Sequence, residues 1–316
     1  MRTAACLPLF LLIACRHGAP AGSTAAMPPS LVAHVVSPRE ADPAADRWLL
    51  DELAIVDGNR ARAGKLVVYL VGLNGKPASA RPMLEELAGM GFHALAPMYP
   101  NDYPIRELCT PAADPDPDCH GKARLEAFEG VDHSPHIVVS RANSAEERVA
   151  RLLAHLERAH PGQGWGAFLD GDRPRWSSIV VAGHSHGASS AGLIGKVREV
   201  DRVVMLSGPF DNRDGMSAAW VARDGKTPPA RYYGLTHIHE EQYPLHVKNW
   251  ETLGMGPLSS VVDADVKSPP YGGSHQLATA MAGKNPHGMT AAGGASPRGP
   301  DGQYRLAPAW RYLFGR

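Results

Sequence analysis

Apolar residues gather along this chain in short continuous runs, and the stretches between several of those runs repeat with a helical period. Residues 65–71 read Lys-Leu-Val-Val-Tyr-Leu-Val, continuously apolar and β-branched. That is the pattern of a strand buried on both faces of a parallel sheet. Gly72-Leu73-Asn74-Gly75 breaks the run, a helix is expected over residues 79–90, and residues 92–98 read as the next strand. Between residues 99 and 141 there is no clear periodicity, and an insertion of that length in a compact domain is usually a functional loop. Helical order returns at Ser144-Ala145-Glu146-Glu147, a capping-box pattern ahead of Val149, Leu152, Leu153 and Leu156, and stops near His160-Pro161-Gly162. Residues 178–182 form another short buried strand. Residues 202–206, 232–236 and 259–262 supply three more. Strands alternating with helices predict an α/β fold, with a mostly parallel central sheet, helices on both faces and long loop insertions.

The first residues follow a different logic. Arg2 precedes an apolar stretch over residues 4–14 that is too short to span a bilayer. It reads as a signal peptide. Its end, Leu12-Ile13-Ala14-Cys15, resembles a bacterial lipobox, in which the Cys15 thiol would carry the lipid. The expected organisation is a signal peptide with lipobox over residues 1–15, a flexible Ala, Pro, Gly and Ser-rich tether over 16–43, and one domain over 44–316. This predicts an exported lipoprotein of the bacterial cell envelope, held to the membrane by its anchor. In an oxidising compartment Cys109 and Cys119 can close a short loop as a disulfide, clamping a Pro- and Asp-rich segment.

Composition narrows the picture further. Lys+Arg and Asp+Glu balance at 32 each, so no surface for nucleic acid or for an acidic polymer is expected.

The candidate chemistry lies just past the strand at 178–182. A serine hydroxyl is a poor nucleophile at neutral pH, and it must be held apart, near a base and beside donors for an oxyanion. In Gly183-His184-Ser185-His186-Gly187 the two glycines flank Ser185 where a side chain would collide with adjacent backbone. This is the steric logic of a nucleophile elbow. The oxyanion donors would be the backbone N–H of His186 and that of Leu73, with Asn74 as the alternative. The acid should follow the nucleophile in the chain and the histidine should come last. Glu240, shortly after the strand at 232–236, is the chosen acid, with Glu241 and Asp211 as competitors. His287, in a loop framed by Pro286 and Gly288, is preferred as base over His275, which directly precedes an apolar run. Such chemistry needs a small-molecule or ester substrate and no cofactor or metal.

Around these motifs the chain resembles a family of exported bacterial α/β-hydrolases of poorly defined substrate. The resemblance runs through residues 183–188, Tyr233-Gly234-Leu235-Thr236-His237 to Gln242, Gly273-Ser274-His275-Gln276-Leu277 and Pro286-His287-Gly288. It extends to residues 109–120 and Gly164-Trp165-Gly166. It implies an α/β-hydrolase fold with a Ser, acid, His triad. Relatives tend to carry Asp where this chain has Glu240. The leading expectation is a serine hydrolase, esterase- or lipase-like, working through an acyl-enzyme. One rival is a metal site built from His184, His186, His237 and His239. Another is a catalytically inactive hydrolase fold used for binding.

Overall fold

A computed structural model describes Met1, residues 30–59 and residues 62–316. The expected signal peptide, the expected lipobox with Cys15 and most of the expected tether lie outside the described residues. Among the described residues nine strands form one sheet: β1 Leu31–Val36, β2 Glu52–Asp57, β3 Leu66–Leu70, β4 His93–Ala96, β5 Ile179–His184, β6 Arg202–Leu206, β7 Tyr232–His237, β8 Val262–Asp263 and β9 Gln276–Thr279. Their order is β1-β2-β4-β3-β5-β6-β7-β9-β8. The β1–β2 and β2–β4 pairings are antiparallel and all others parallel. With the first crossover returning between β2 and β3 and a run of parallel neighbours beyond it, this is the α/β-hydrolase fold. β3 is buried at every position, as are the first five residues of β5. Side chains alternate faces along a strand, so both faces of the sheet centre are covered.

The principal helices are α1 Arg81–Gly89, α2 Cys119–Glu129, α3 Ala145–Ala159, α4 His186–Val197, α5 Tyr243–Thr252 and α6 Ala307–Leu313. α3 begins where the capping box places it, with Ser144 Oγ accepting from the Glu147 N–H at 3.3 Å. None of the described helices is long and apolar enough to cross a membrane.

The expected tether is corrected at its end. Leu31–Val36 pairs along its whole length with β2, from Leu31 opposite Asp57 to Val36 opposite Glu52, so the folded unit reaches back into residues 31–43. As an edge strand it buries only Leu31 and Val36 fully, and it carries too weak an apolar pattern to stand out beside its Pro- and Ala-rich flank. The strand expected over residues 259–262 is corrected as well. Only Val262 and Asp263 pair, at the sheet edge, and the inner strand is Gln276–Thr279. At four residues with polar ends, that strand is too short to show a period.

The region over 99–141 holds α2, whose packing explains its missing periodicity. The helix is buried on most sides, including His120, Arg124 and Glu126. Glu126 accepts from the N–H groups of His133, Ser134 and Val139, so a polar side chain serves as an internal clamp. The Cys109–Cys119 disulfide forms, with Cα atoms 5.4 Å apart, inside a small apolar cluster with Ile105, Ala123 and Ile137.

Candidate active site

Ser185 stands at the turn between β5 and α4, with φ 59° and ψ −121°. A serine in that region is strained, and the surrounding packing enforces it. A Cβ on Gly183 would lie 2.3 Å from the backbone of Gly187, and one on Gly187 would lie 2.0 Å from the carbonyl oxygen of Leu70. No side chain fits at either position. The turn therefore closes only with glycines, and its tip presents Ser185 to a cavity of about 230 Å³. Leu73, His186, Phe210 and His287 line that cavity with it.

The loop after β3 faces the same place. Asn74 donates its N–H to the Asn101 carbonyl at 2.9 Å. Asn101, itself buried, donates through Nδ2 to the carbonyls of Gly72 and Gly75, both at 2.9 Å. This clamp occupies Asn74, the alternative oxyanion donor. Among the described residues the backbone N–H groups of Leu73 and His186 have no hydrogen-bond partner. Asn101 carries no sequence signal of its own, because it acts across 26 and 29 residues on backbone carbonyls.

Glu240 and His287 meet at the C-terminal edge of the sheet. Glu240 follows β7 in a turn closed by its own N–H on the His237 carbonyl at 3.0 Å, and its Oε1 hydrogen-bonds to His287 Nδ1. Its Oε2 accepts from Ser207 Oγ at 2.9 Å. Burial alone would raise this carboxyl. The bond to His287 and the field of His246 outweigh it, so Glu240 sits below the usual carboxylate range. His287 lies in a one-turn helix over Pro286–Met289, capped by Asn285 Oδ1 accepting from the Gly288 N–H at 3.0 Å. Its backbone carbonyl accepts from His184 Nε2 at 2.8 Å, and the two imidazoles lie 4.6 Å apart. No hydrogen bond joins Ser185 Oγ to His287 among the described residues; both side chains open onto the one cavity.

The competing residues are engaged elsewhere. Asp211 is fully buried against Arg124, with Nε at 2.5 Å and Nη2 at 2.6 Å, and Trp220 Nε1 adds a bond at 2.9 Å. Burial would raise its carboxyl, but the guanidinium holds it far below the ordinary range. Glu241 is exposed. His275 stacks on Tyr233 at 4.2 Å, and its Nδ1 lies 3.0 Å from the Tyr232 carbonyl, away from the cavity lining. The four histidines of the metal reading do not converge. His184 packs on His287, His186 lies 3.5 Å from Arg124, and His237 bonds the Met281 carbonyl at 2.9 Å. His239 is exposed. Among the described residues the one group of three side chains within ligand range is Asp114, Cys119 and His136. There the sulfur of Cys119 is already committed to the disulfide.

Neither a protein-family model nor a curated protein matches the sequence. Among solved structures the chain is similar to esterase B of Lactobacillus rhamnosis, crystallised with a tributyrin phosphonate inhibitor. That match has 12% identity and a TM-score of 0.45, covering 82% of this chain and 78% of the other. It is also similar to the butyrate-bound esterase 2 of Thermogutta terrifontis, at 13% identity and a TM-score of 0.43, covering 90% and 93%. Likeness of this extent decides neither chemistry nor substrate, which rest on the chain's own residues.

Proposed function

We propose that this chain is a serine hydrolase that cleaves carboxylic esters through an acyl-enzyme. The observation that carries the reading is the meeting of Glu240 with His287 beside a cavity that also receives Ser185 from a strained, glycine-flanked turn. In this mechanism Ser185 Oγ attacks the substrate carbonyl carbon while His287 Nε2 takes its proton. The N–H groups of Leu73 and His186 hold the oxyanion. His287 then returns the proton to the departing alcohol, and water repeats the cycle on the acyl-enzyme. Glu240 holds the Nδ1–H tautomer and stabilises the imidazolium. The bond from Ser185 to His287 forms in the occupied site, as catalytic hydrogen bonds commonly tighten on binding.

The test is labelling with a fluorophosphonate probe. The purified protein should react, Ser185→Ala should not, and EDTA should leave the reaction unchanged. Labelling that persists in Ser185→Ala would sink the assignment.

The same reading extends to location. The Leu12-Ile13-Ala14-Cys15 motif supports an exported protein anchored by lipid on Cys15, and a disulfide suits an oxidising compartment. Cys15→Ser should move the protein out of the membrane fraction, and unchanged partitioning would remove the anchor from the proposal.

A further inference from the structure

We infer that Ser207 is a positioning residue that locks the acid and the base of the proposed triad into one unit. The inference rests on the hydrolase reading above. Ser207 directly follows β6, with φ 49°, and is fully buried. Such a backbone is unfavourable for a serine, and here it turns the hydroxyl into the space between the β7 and β9 connections. Its Oγ lies 2.9 Å from Glu240 Oε2, 3.0 Å from the His287 carbonyl oxygen and 2.8 Å from Thr290 Oγ1.

A hydroxyl has one proton to give and two lone pairs with which to accept. The charged carboxylate is the strongest acceptor of the three, so the Ser207 proton belongs to Glu240 and the Thr290 hydroxyl donates to Ser207. Thr290 is also buried, and its carbonyl accepts from Trp310 Nε1 at 2.8 Å, which ties the far end of the His287 segment to α6. One hydroxyl thus joins the acid's second oxygen, to which it donates, to Thr290 at the far end of the segment that carries the base, from which it accepts, while the His287 carbonyl beside it is held by His184. Glu240 Oε1 is then left to a single orientation, facing His287 Nδ1.

Without Ser207 the carboxylate keeps its contact with His287 but loses the group that fixes its rotation. The His287 segment keeps the His184 bond to its carbonyl and loses only the second tie to the acid, the one that runs from Thr290 through Ser207. The imidazole would then spend less time with Nε2 aimed at Ser185, so turnover should fall with substrate affinity little changed.

The experiment is a double-mutant cycle read by the rate of fluorophosphonate labelling, with folding checked by thermal melting. Ser207→Ala should label more slowly than the wild type by on the order of 10- to 100-fold. In a His287→Ala background the same change should slow labelling no further, because Ser207 acts through the imidazole. Wild-type rates in Ser207→Ala, or equal slowing in both backgrounds, would overturn the inference. Should Ser207→Ala fail to fold, Ser207→Cys preserves the shape with a weak donor and should show the same slowing. A proton NMR signal for His287 Nδ1–H, identified by its loss in His287→Ala, reads the positioning without any reaction. It should shift or vanish in Ser207→Ala, and an unchanged signal refutes the role whether or not the probe reacts. The hydrolase reading fails by a different sign: labelling that survives Ser185→Ala.

Discussion

Glu240 is 6% exposed, yet it stays ionised at neutral pH because its two oxygens are each given a partner, His287 on one side and Ser207 on the other. A buried carboxylate is tolerated only under such conditions. The neighbouring choice of base can be separated by the same kind of argument. His287 faces Glu240 and the cavity, whereas His275 holds a β7 carbonyl and stacks on Tyr233. His287→Ala should therefore fold normally and lose on the order of 10⁴-fold in kcat towards a short activated ester. His275→Ala should instead cost about 1 to 3 kcal/mol of stability while turnover per folded molecule holds. Steady-state kinetics beside thermal melts on the two variants decide the matter, and the reverse pattern would move the base to His275. Residues whose role depends on a type at a fixed offset, such as Ser185 between Gly183 and Gly187, were legible in the sequence. So was the chain order of Ser185, Glu240 and His287, of which the last two meet beside the cavity that Ser185 lines. Ser207, Asn101 and Arg124 were not, since a lone Ser, Asn or Arg acquires its meaning only from partners brought to it by the fold.

Among elements, legibility followed burial pattern. β3, β5 and β6 are continuous apolar runs and were read within one or two residues of their ends. α3 has a wide polar face and a capping box, and it too was read directly. β1 is half-exposed at the edge, and α2 is buried with charged residues among its apolar ones, so neither shows a period to find. β2 was missed despite the run Leu53-Ala54-Ile55-Val56, whose buried flanking carboxylates disguise it. Glu52, one of these, has Oε1 on the Met98 N–H at 3.1 Å, and burial pushes it up to about 8 against the pull of Arg148. What the sequence could not display was α2, whose Arg124 and Glu126 find their partners only inside the fold. Arg124 of this helix lines the cavity.

The whole molecule inherits a pH dependence from these buried groups. Burial, ahead of any charge effect, lowers His184 to about 4, His186 to about 3 and His246 to about 4 from an ordinary 6.5. His34, His93, His120 and His275 move the same way for the same first cause. Each histidine takes up its proton near pH 6.5 when unfolded but only at lower pH when folded, so the unfolded state binds more protons as the pH falls. Stability must then decline over that window. Glu240, depressed in the fold, adds to the loss once the pH falls towards its folded value. Glu52 opposes it, because a carboxyl raised to about 8 binds its proton in the folded state first and so favours folding as the pH falls from 8 towards 4.5. Glu86, also raised by burial, acts in the same sense, but two carboxyls stand against three strongly shifted histidines, and the histidines decide the sign between about 6.5 and 4.5. Thermal melting followed by circular dichroism should show Tm falling steadily as the pH is lowered through this range. In Glu52→Gln one opposing contribution is absent, so its melting curve should fall more steeply than the wild type's. A Tm that rises or stays level on acidification from 6.5 to 4.5 would mean that these imidazoles are not held neutral by the fold.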